Sequence, residues 1–366
     1  MVTDFSVKNS QTIETPALGA ECQPGKPGAP NGMHRRRWWP RILLLIALIS
    51  IGGSLWWWNH VRGPGAAFTE LPLPAVPEAA PGAGAPLTGT LTFLVTADTH
   101  LGGSGMEAAN AAMLAALDEL PGRPWPSPLR GVVEPPLALA VLGDLTDSGR
   151  AAQMFDFEHL YYAEPHPRRG ATVALAGNHD SAGATSPVGR RLIGRHGSLL
   201  RAWDWGEVRM LCLDLGPTEA ALAWLEQELA SLPTQRPLII FQHLALCGPY
   251  SGPEWLSEKR KSRYAALLAG RRVLAIFHGH FHGAGHYRWQ GIDVYNTGSP
   301  RHRWCEALAV RLTDDALVVA SWNWRAKCWW WMHTKRRNAD APGVFTDLSG
   351  STAGPPVLYP YPLDPK

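Results

Sequence analysis

Five short apolar runs in the middle of this chain each stop at residues with metal-ligand chemistry, and that repetition constrains the fold more than any other feature. The runs end at Asp98-Thr99-His100, at Gly143-Asp144 followed by Asp147, at Gly177-Asn178-His179-Asp180, at His243, and at His280-Phe281-His282. Taken singly, each is an ordinary turn or cap sequence. In an open α/β sheet, loops after the carboxyl ends of strands converge on one crevice. Five such endings in one chain therefore describe one site. Two of them have i, i+2 spacing, which puts both side chains on the same side of an extended backbone.

The strand-like runs at 91–97, 137–142, 172–176, 208–213, 238–241 and 273–277 are short, apolar and rich in β-branched residues. Residues 104–120, 151–162, 218–232 and 254–268 carry helical spacing; in the first, Met113, Leu114, Leu117 and Leu120 share a side. Alternating runs at 291–295, 307–312 and 316–322 read as hairpins at a sheet edge. Strands and helices alternate first and strands dominate late, which favours an α/β fold, a layered sandwich with mixed sheets.

A hydrophobic content of 45% in 366 residues suffices for one large core, or at most two. The 37 Gly and 32 Pro lie largely outside the apolar runs, so a folded domain sits between low-complexity flanks. A formal charge of +3 with no long basic stripe in the central region gives no reason to expect a nucleic-acid partner. The five cysteines are odd in number and form no C-x-x-C pair, so no disulfide framework or zinc knuckle follows. Cys212 and Cys247 fall in apolar runs and read as buried thiols.

Residues 1–41 read as a cytoplasmic, unstructured stretch that becomes basic at Arg35, Arg36, Arg37 and Arg41. The uncharged run 42–58 would span about 26 Å as a helix, against a hydrocarbon core of roughly 30 Å. Trp38, Trp39, Trp56, Trp57 and Trp58 suit the two interfaces. Basic residues precede the run and only His60 and Arg62 follow closely. The positive-inside rule then predicts a single-pass anchor with the N-terminus cytoplasmic and the remainder on the periplasmic or extracellular side. A cleaved leader ending near Gly65-Ala66-Ala67 and a buried core helix are the competing readings; the long basic leader and the closing tryptophans fit an anchor better. Residues 59–88 read as a Pro-, Ala- and Gly-rich linker. The catalytic-looking domain is expected over 89–325 and a Trp- and Pro-rich tail over 326–366. That tail either rests on a membrane surface or packs on the domain as a closing segment, and the second is favoured.

Imidazole combined with carboxylate suits borderline ions such as Fe, Mn or Zn better than Ca. The clusters offer enough donors for two ions sharing one carboxylate, twice what a single zinc requires. The order D-x-H, G-D-x-x-D, G-N-H-D, H, G-H-x-H resembles the calcineurin-like metallophosphoesterase family over roughly residues 91–322. The resemblance implies a four-layer αββα sandwich of two mixed sheets flanked by helices, here preceded by one transmembrane helix. It also implies a dinuclear centre of two divalent or mixed-valence ions (Mn, Fe or Zn). Carried over by motif, Asp98, His100, Asp144 and His282 would hold the first ion. Asp144, Asn178, His243 and His280 would hold the second, with Asp144 as the bridge. His179 is then the substrate-facing histidine, and Asp147 the carboxylate expected to hydrogen-bond and orient it. The implied reaction is attack of a bridging hydroxide on the phosphorus of a phosphoester substrate, with a cationic His179 acting on the leaving oxygen.

Departures from neighbouring groups narrow the resemblance. Asp147 stands where purple acid phosphatases carry a tyrosinate, and Ser148, not arginine, follows it, unlike the Ser/Thr protein phosphatases. The pattern is closest to the cyclic-nucleotide phosphodiesterase-like branch, whose members differ in specificity. Monoester, diester and pyrophosphate substrates all stay open. A non-catalytic binding scaffold on the same fold is the rival of another class, but the ligands and the substrate-facing histidine are all present. His278 reads as a core or supporting residue, and Arg301 and His302 as late-loop residues within reach of a phosphate or plain surface.

Overall fold

In a computed structural model, which describes residues 89–348 apart from 163–169, 182, 249, 302–304 and 338–342, the first apolar run forms β1 (Leu91–Thr96). Every residue of β1 is buried, because alternate side chains enter two different cores. Phe93 and Val95 point one way and Leu94 the other. Parallel to β1 run β2 (Ala138–Leu142) and then β3 (Ala171–Leu175). On its other side β10 (Glu306–Leu312), β11 (Ala316–Asn323), β12 (Cys328–Arg336) and β13 (Val344–Asp347) follow in antiparallel succession, completing a seven-stranded mixed sheet.

The second sheet has six strands, β4 (Arg201–Trp205), β5 (Val208–Cys212), β6 (Leu238–Phe241), β7 (Val273–His278), β8 (Gly285–Trp289) and β9 (Ile292–Asn296), in the order β4-β5-β6-β7-β9-β8. Its central strands β5, β6, β7 and β9 are parallel, and β4 and β8 close its edges antiparallel. Among the described residues, five α-helices cover the two sheets: α1 (Met106–Asp118), α2 (Ala151–Tyr161), α3 (Pro187–His196), α4 (Glu219–Ala230) and α5 (Glu258–Leu268).

Three hydrophobic cores define the layers. Met113, Leu117, Phe157 and Leu192 of α1, α2 and α3 pack on Leu94, Leu139 and Val141 of the first sheet. Between the sheets, Phe93, Val95 and Val310 meet Met210, Ile239, Phe241 and Phe277. Leu222, Leu225, Tyr264 and Leu268 of α4 and α5 cover Leu211, Ile240 and Ile276. The result is the expected α/β sandwich of two mixed sheets with flanking helices. Phe93 anchors the middle layer, with ring centroids 5.3 Å from Trp205, 6.1 Å from Phe241 and 5.9 Å from Phe277. Truncating a ring so placed costs about 3–5 kcal/mol.

Helix starts follow side-chain caps. Ser186, Thr218 and Ser257 accept from Gly189, Ala221 and Arg260 at the first turns of α3, α4 and α5. The Ser257 cap places the start of α5 at Glu258 rather than at 254. The pairing also continues past residue 325, where the tail was expected to begin. Cys328–Arg336 pairs along β11, and Trp331 is fully buried between the sheets. The Trp-rich segment is therefore a sheet strand, and a register shift opposite Ser321 and Trp322 sends Trp329 to the helix-facing core and Trp330 and Trp331 to the inter-sheet core. Trp329 stacks on Trp125 at 5.6 Å. Cys212 is buried and Cys247 half-buried.

The stretch 1–41, the apolar run 42–58, the linker 59–88, the end of the tail and His302 lie outside the described residues. Among those described, no helix is long and apolar enough to cross a membrane.

Candidate metal centre

The loops leaving β1, β2, β3, β6 and β7 meet at one end of the two sheets. Asp98, His100, Asp144, His280 and His282 all sit on left-handed backbone, with φ of 54°, 44°, 49°, 70° and 60°. For residues other than glycine each such conformation costs roughly 1 kcal/mol or more, so something must hold it. Cross-loop hydrogen bonds do so: Asp98 N–H donates to Gly143 O at 2.9 Å, His100 N–H to Asp144 O at 2.9 Å, and His280 N–H to Asp98 Oδ1 at 3.0 Å. The loops pass so closely that glycine is required. A Cβ on Gly143, which has φ of 85°, would strike His243 Nδ1 and the Gly177 backbone. A Cβ on Gly279 would strike Ala97 and Leu142 O.

All seven expected ligands are brought together. Asp98, His100, Asp144 and His282 form one group, and Asp144, His243 and His280 another, with donor atoms of each group within 4.8 Å. Asp144 faces both. Its Oδ2 lies 3.7 Å from His100 Nε2 and its Oδ1 3.4 Å from His243 Nε2. Asn178 Oδ1 is 2.9 Å from His243 Nε2, which puts the amide in the second group.

The donor set fits a cation in each group. His243 Nδ1–H donates to Leu142 O at 2.8 Å, which turns Nε2 toward the second group. Nε2 faces two acceptors, Asn178 Oδ1 and Asp144 Oδ1, so the space between the three takes a positive charge, either a proton on Nε2 or a cation that displaces it. In the first group His100 Nε2 and His282 Nε2 face each other at 3.1 Å. Asp98 Oδ2 and His280 Nε2 are buried without a hydrogen-bond partner, a costly condition that a bound ion relieves.

The electrostatics agree. Burial drives His100 down to about 3 and His280 down to about 2, so both rings are neutral and able to ligate near neutrality. Burial also opposes a charge on His243, but Asp144 outweighs it and holds the ring up at about 9. For Asp144 the same pairing overcomes burial and keeps the carboxyl well below its usual range. Burial pushes Asp98 well above that range.

The histidine expected to face substrate, His179, is positioned differently from expectation. His179 Nδ1–H donates to the main-chain carbonyl of Asp147 at 2.8 Å, not to its carboxylate. The carboxylate instead accepts from Arg301 at 3.1 Å, and the same guanidinium nitrogen lies 2.9 Å from His100 Nδ1. Asp147 N–H is itself tied back to Leu101 O at 3.0 Å, so its backbone is held from both sides. The His179 ring stands edge-on over His100 with centroids 4.7 Å apart. Of the two late-loop residues, Arg301 is thus at the mouth.

Sequence reasoning gave no role to Asp180. Fully buried, it accepts from Leu145 N, Thr146 N, Thr146 Oγ1 and Gly177 N at 2.9, 2.8, 2.7 and 2.9 Å, clamping the loops after β2 and β3 together. Its place as the last residue of the Gly-Asn-His-Asp quartet was the available signal. Asp214 is a second such support, accepting from Ala176 N at 2.8 Å while its carbonyl receives His243 N–H at 3.1 Å. His278 is buried in the supporting role expected, with the Tyr287 hydroxyl 3.0 Å from its Nε2.

His286, Asp293 and His333 form a further buried cluster, but its geometry is of another kind. His286 Nε2 is in direct hydrogen-bond contact with Asp293 Oδ1 at 2.9 Å, and Lys335 takes Asp293 Oδ2 at 2.7 Å. An internal ammonium already supplies the positive charge there, so this cluster reads as a buried polar network joining β8, β9 and β12.

The family model described as calcineurin-like phosphoesterase matches residues 91–284. No curated protein matches the chain. Among solved structures, the chain is similar to GAP50, the anchor in the inner membrane complex of Plasmodium. The two are 12% identical with a TM-score of 0.51, and the match covers 71% of this chain and 90% of that one. It is also similar to a dimetal phosphatase from Danio rerio, 14% identical with a TM-score of 0.49, covering 70% of this chain and 98% of that one. At these identities the first likeness bears on the fold alone.

Proposed function

Matched by that family model over more than half its length, this chain belongs to the calcineurin-like phosphoesterase family and is a phosphoester hydrolase, and from that premise we propose that it works through a dinuclear metal centre on a membrane-tethered domain. Asp98, His100, Asp144 and His282 would hold one ion, and Asp144, Asn178, His243 and His280 the other. The observation that carries this reading is Asp144, whose two carboxylate oxygens face histidines of different groups. When bound, the two cations would supply Lewis acidity toward the phosphoryl oxygens and make hydroxide available from water near neutrality.

The chain's own residues do the rest. With Nδ1 held by the Asp147 carbonyl, His179 turns Nε2 away from that carbonyl, where it can deliver a proton to the leaving oxygen. Arg301, about a third exposed at 34%, sets a fixed positive charge beside the first group, suited to a phosphoryl oxygen. The buried loops exclude water from behind the ligands, which strengthens each of these interactions.

The basic leader, apolar run and flanking tryptophans over 35–58 support an N-terminal anchor with a cytoplasmic N-terminus and the domain on the outer side. The test of catalysis is turnover of p-nitrophenyl phosphate and bis-p-nitrophenyl phosphate by metal-stripped protein reloaded with Mn, with His179→Ala as control. Metal-dependent turnover that the control lacks is expected, and the preferred ester separates monoesterase from diesterase. Failure to bind any metal overturns the dinuclear reading. Extraction of the chain from membranes by alkaline carbonate would overturn the anchor.

A further inference from the structure

The hydrolytic chemistry leaves unused a set of aromatic rings beside the second ligand group. Trp255 meets the His280 ring edge-on with centroids 4.5 Å apart, and Tyr250 meets it at 5.7 Å. Tyr250 also lies 6.3 Å from Phe281, which sits between the two ligands His280 and His282, with the rings tilted by 48° rather than closed into a stack.

Tyr250 is the unusual member. It is 46% exposed, so its ring gains little from burial. Its backbone has φ of 60°, a rare conformation for a bulky residue and one that tends to be kept where a ligand is met. The segment carrying it is nonetheless fastened. Ser251 Oγ donates to Gly248 O at 2.6 Å, Lys261 Nζ to Ser251 O at 2.7 Å, and Trp255 N–H to Gly252 O at 3.0 Å. An exposed ring on strained but anchored backbone, in contact with a metal-ligand histidine, is arranged to present a flat apolar face to whatever occupies the mouth.

We propose that Tyr250, supported by Trp255 and Phe281, forms a stacking subsite for a flat aromatic ring carried by the substrate. The preferred substrate is then a phosphoester bearing a nucleobase or an aryl group. This inference rests on the hydrolytic reading of the same site and narrows its substrate class. Stacking needs only a π face, so both sources share the required chemistry.

The experiment is equilibrium binding to the Mn-loaded full chain carrying His179→Ala, which suppresses turnover. Two ligand pairs are compared: adenosine 5′-monophosphate with ribose 5-phosphate, and phenyl phosphate with cyclohexyl phosphate. Within each pair the phosphate is shared and only the aromatic ring differs. The expected result is that at least one ring-bearing ligand binds roughly tenfold tighter than its partner, and which pair shows the gap identifies the source. Adding Tyr250→Leu should close the gap, and Tyr250→Phe should preserve it. Equal affinities within both pairs, or a gap that survives Tyr250→Leu at unchanged Mn content, overturns the proposal. Failure of the hydrolytic reading would show separately, as absence of ester turnover in the parent chain, because the binding comparison does not depend on cleavage.

Discussion

His179 is oriented by the main chain of Asp147, through an Nδ1–H to carbonyl bond of 2.8 Å, while the Asp147 carboxylate turns to Arg301. Backbone and side chain of one residue therefore serve two different partners. Asp147→Asn keeps the carbonyl, so it should lower kcat by less than about tenfold. His179→Ala removes the proposed proton donor and should lower kcat by about 10²–10⁴-fold with metal retained. Steady-state kinetics on both Mn-loaded variants checks this, and equal losses would mean that the carboxylate is the true positioning group.

Asp144 is the residue common to both ligand groups. Asp144→Ala should leave the protein short of both ions, whereas His282→Ala and His280→Ala should each weaken one. Metal content by elemental analysis after dialysis distinguishes these outcomes. Two ions retained in Asp144→Ala would count against a bridge.

The proton on His243 stands where the second cation would sit. Asp144 holds that ring at about 9 against its burial, so at pH 7 the ring is protonated and ion binding must displace the proton. Calorimetric titration with Mn in two buffers of different ionisation enthalpy should reveal release of about one proton, a release absent in His243→Asn. The bound ions should also raise the unfolding free energy, by about 2.7 kcal/mol per site at a hundredfold excess over Kd.

Asp180 satisfies four buried donors at once. Asp180→Ala strands them, at a cost of about 3 kcal/mol or more. It also uncouples the loops that carry Asp144 and Asn178. Urea unfolding should show a lower midpoint, and metal affinity should fall although no ligand has been changed. An unchanged affinity would confine Asp180 to a stability role.

Glu306 is fully buried in β10, where it accepts from the Ser321 hydroxyl, and burial pushes its carboxyl up to about 8. The ordinary value is 4.5. Between these two values the native state keeps a proton that the unfolded state loses. Stability attributable to this group is thus fully present below the lower value and declines as pH rises, by roughly 1.4 kcal/mol per unit. Glu306→Gln removes the titration and keeps an acceptor for Ser321. Its unfolding midpoint should exceed that of the parent chain at pH 7.5 and approach it at pH 5. Parallel pH profiles for the two proteins would refute the assignment.

The strands that carry the ligands were legible because each is a short apolar run ending abruptly in polar residues, a local signal. The helices α1, α2 and α4 were legible from their periodicity. Helix α3 was overlooked although Ser186-Pro187 is a helix-start signal, because its sequence is rich in Arg and Gly and has few apolar positions. Strands β4 and β8 are edge strands of mixed polarity, with Asp204 and Arg288 within them. The Trp-rich strand β12 looked like a tail because a run of aromatics has no period of its own. Only pairing with β11 sorts its faces, burying Trp331 in the inter-sheet core while Trp329 stacks on Trp125.

The sequence alone determined which donors the site contains and that they leave successive strand ends, since residue type and apolar run length are properties of the local chain. Only the tertiary structure decided what those donors face. His280 N–H reaches Asp98 Oδ1 across 182 residues, and Arg301 reaches His100 across 201. Such contacts depend on the stacking of two separate sheets and on left-handed turns at five of the proposed ligands. Those turns are stable only because neighbouring loops, distant in sequence, supply the hydrogen bonds that hold them. For the same reason Asp147 was recognisable by type, while its division between a carbonyl for His179 and a carboxylate for Arg301 emerged only in three dimensions.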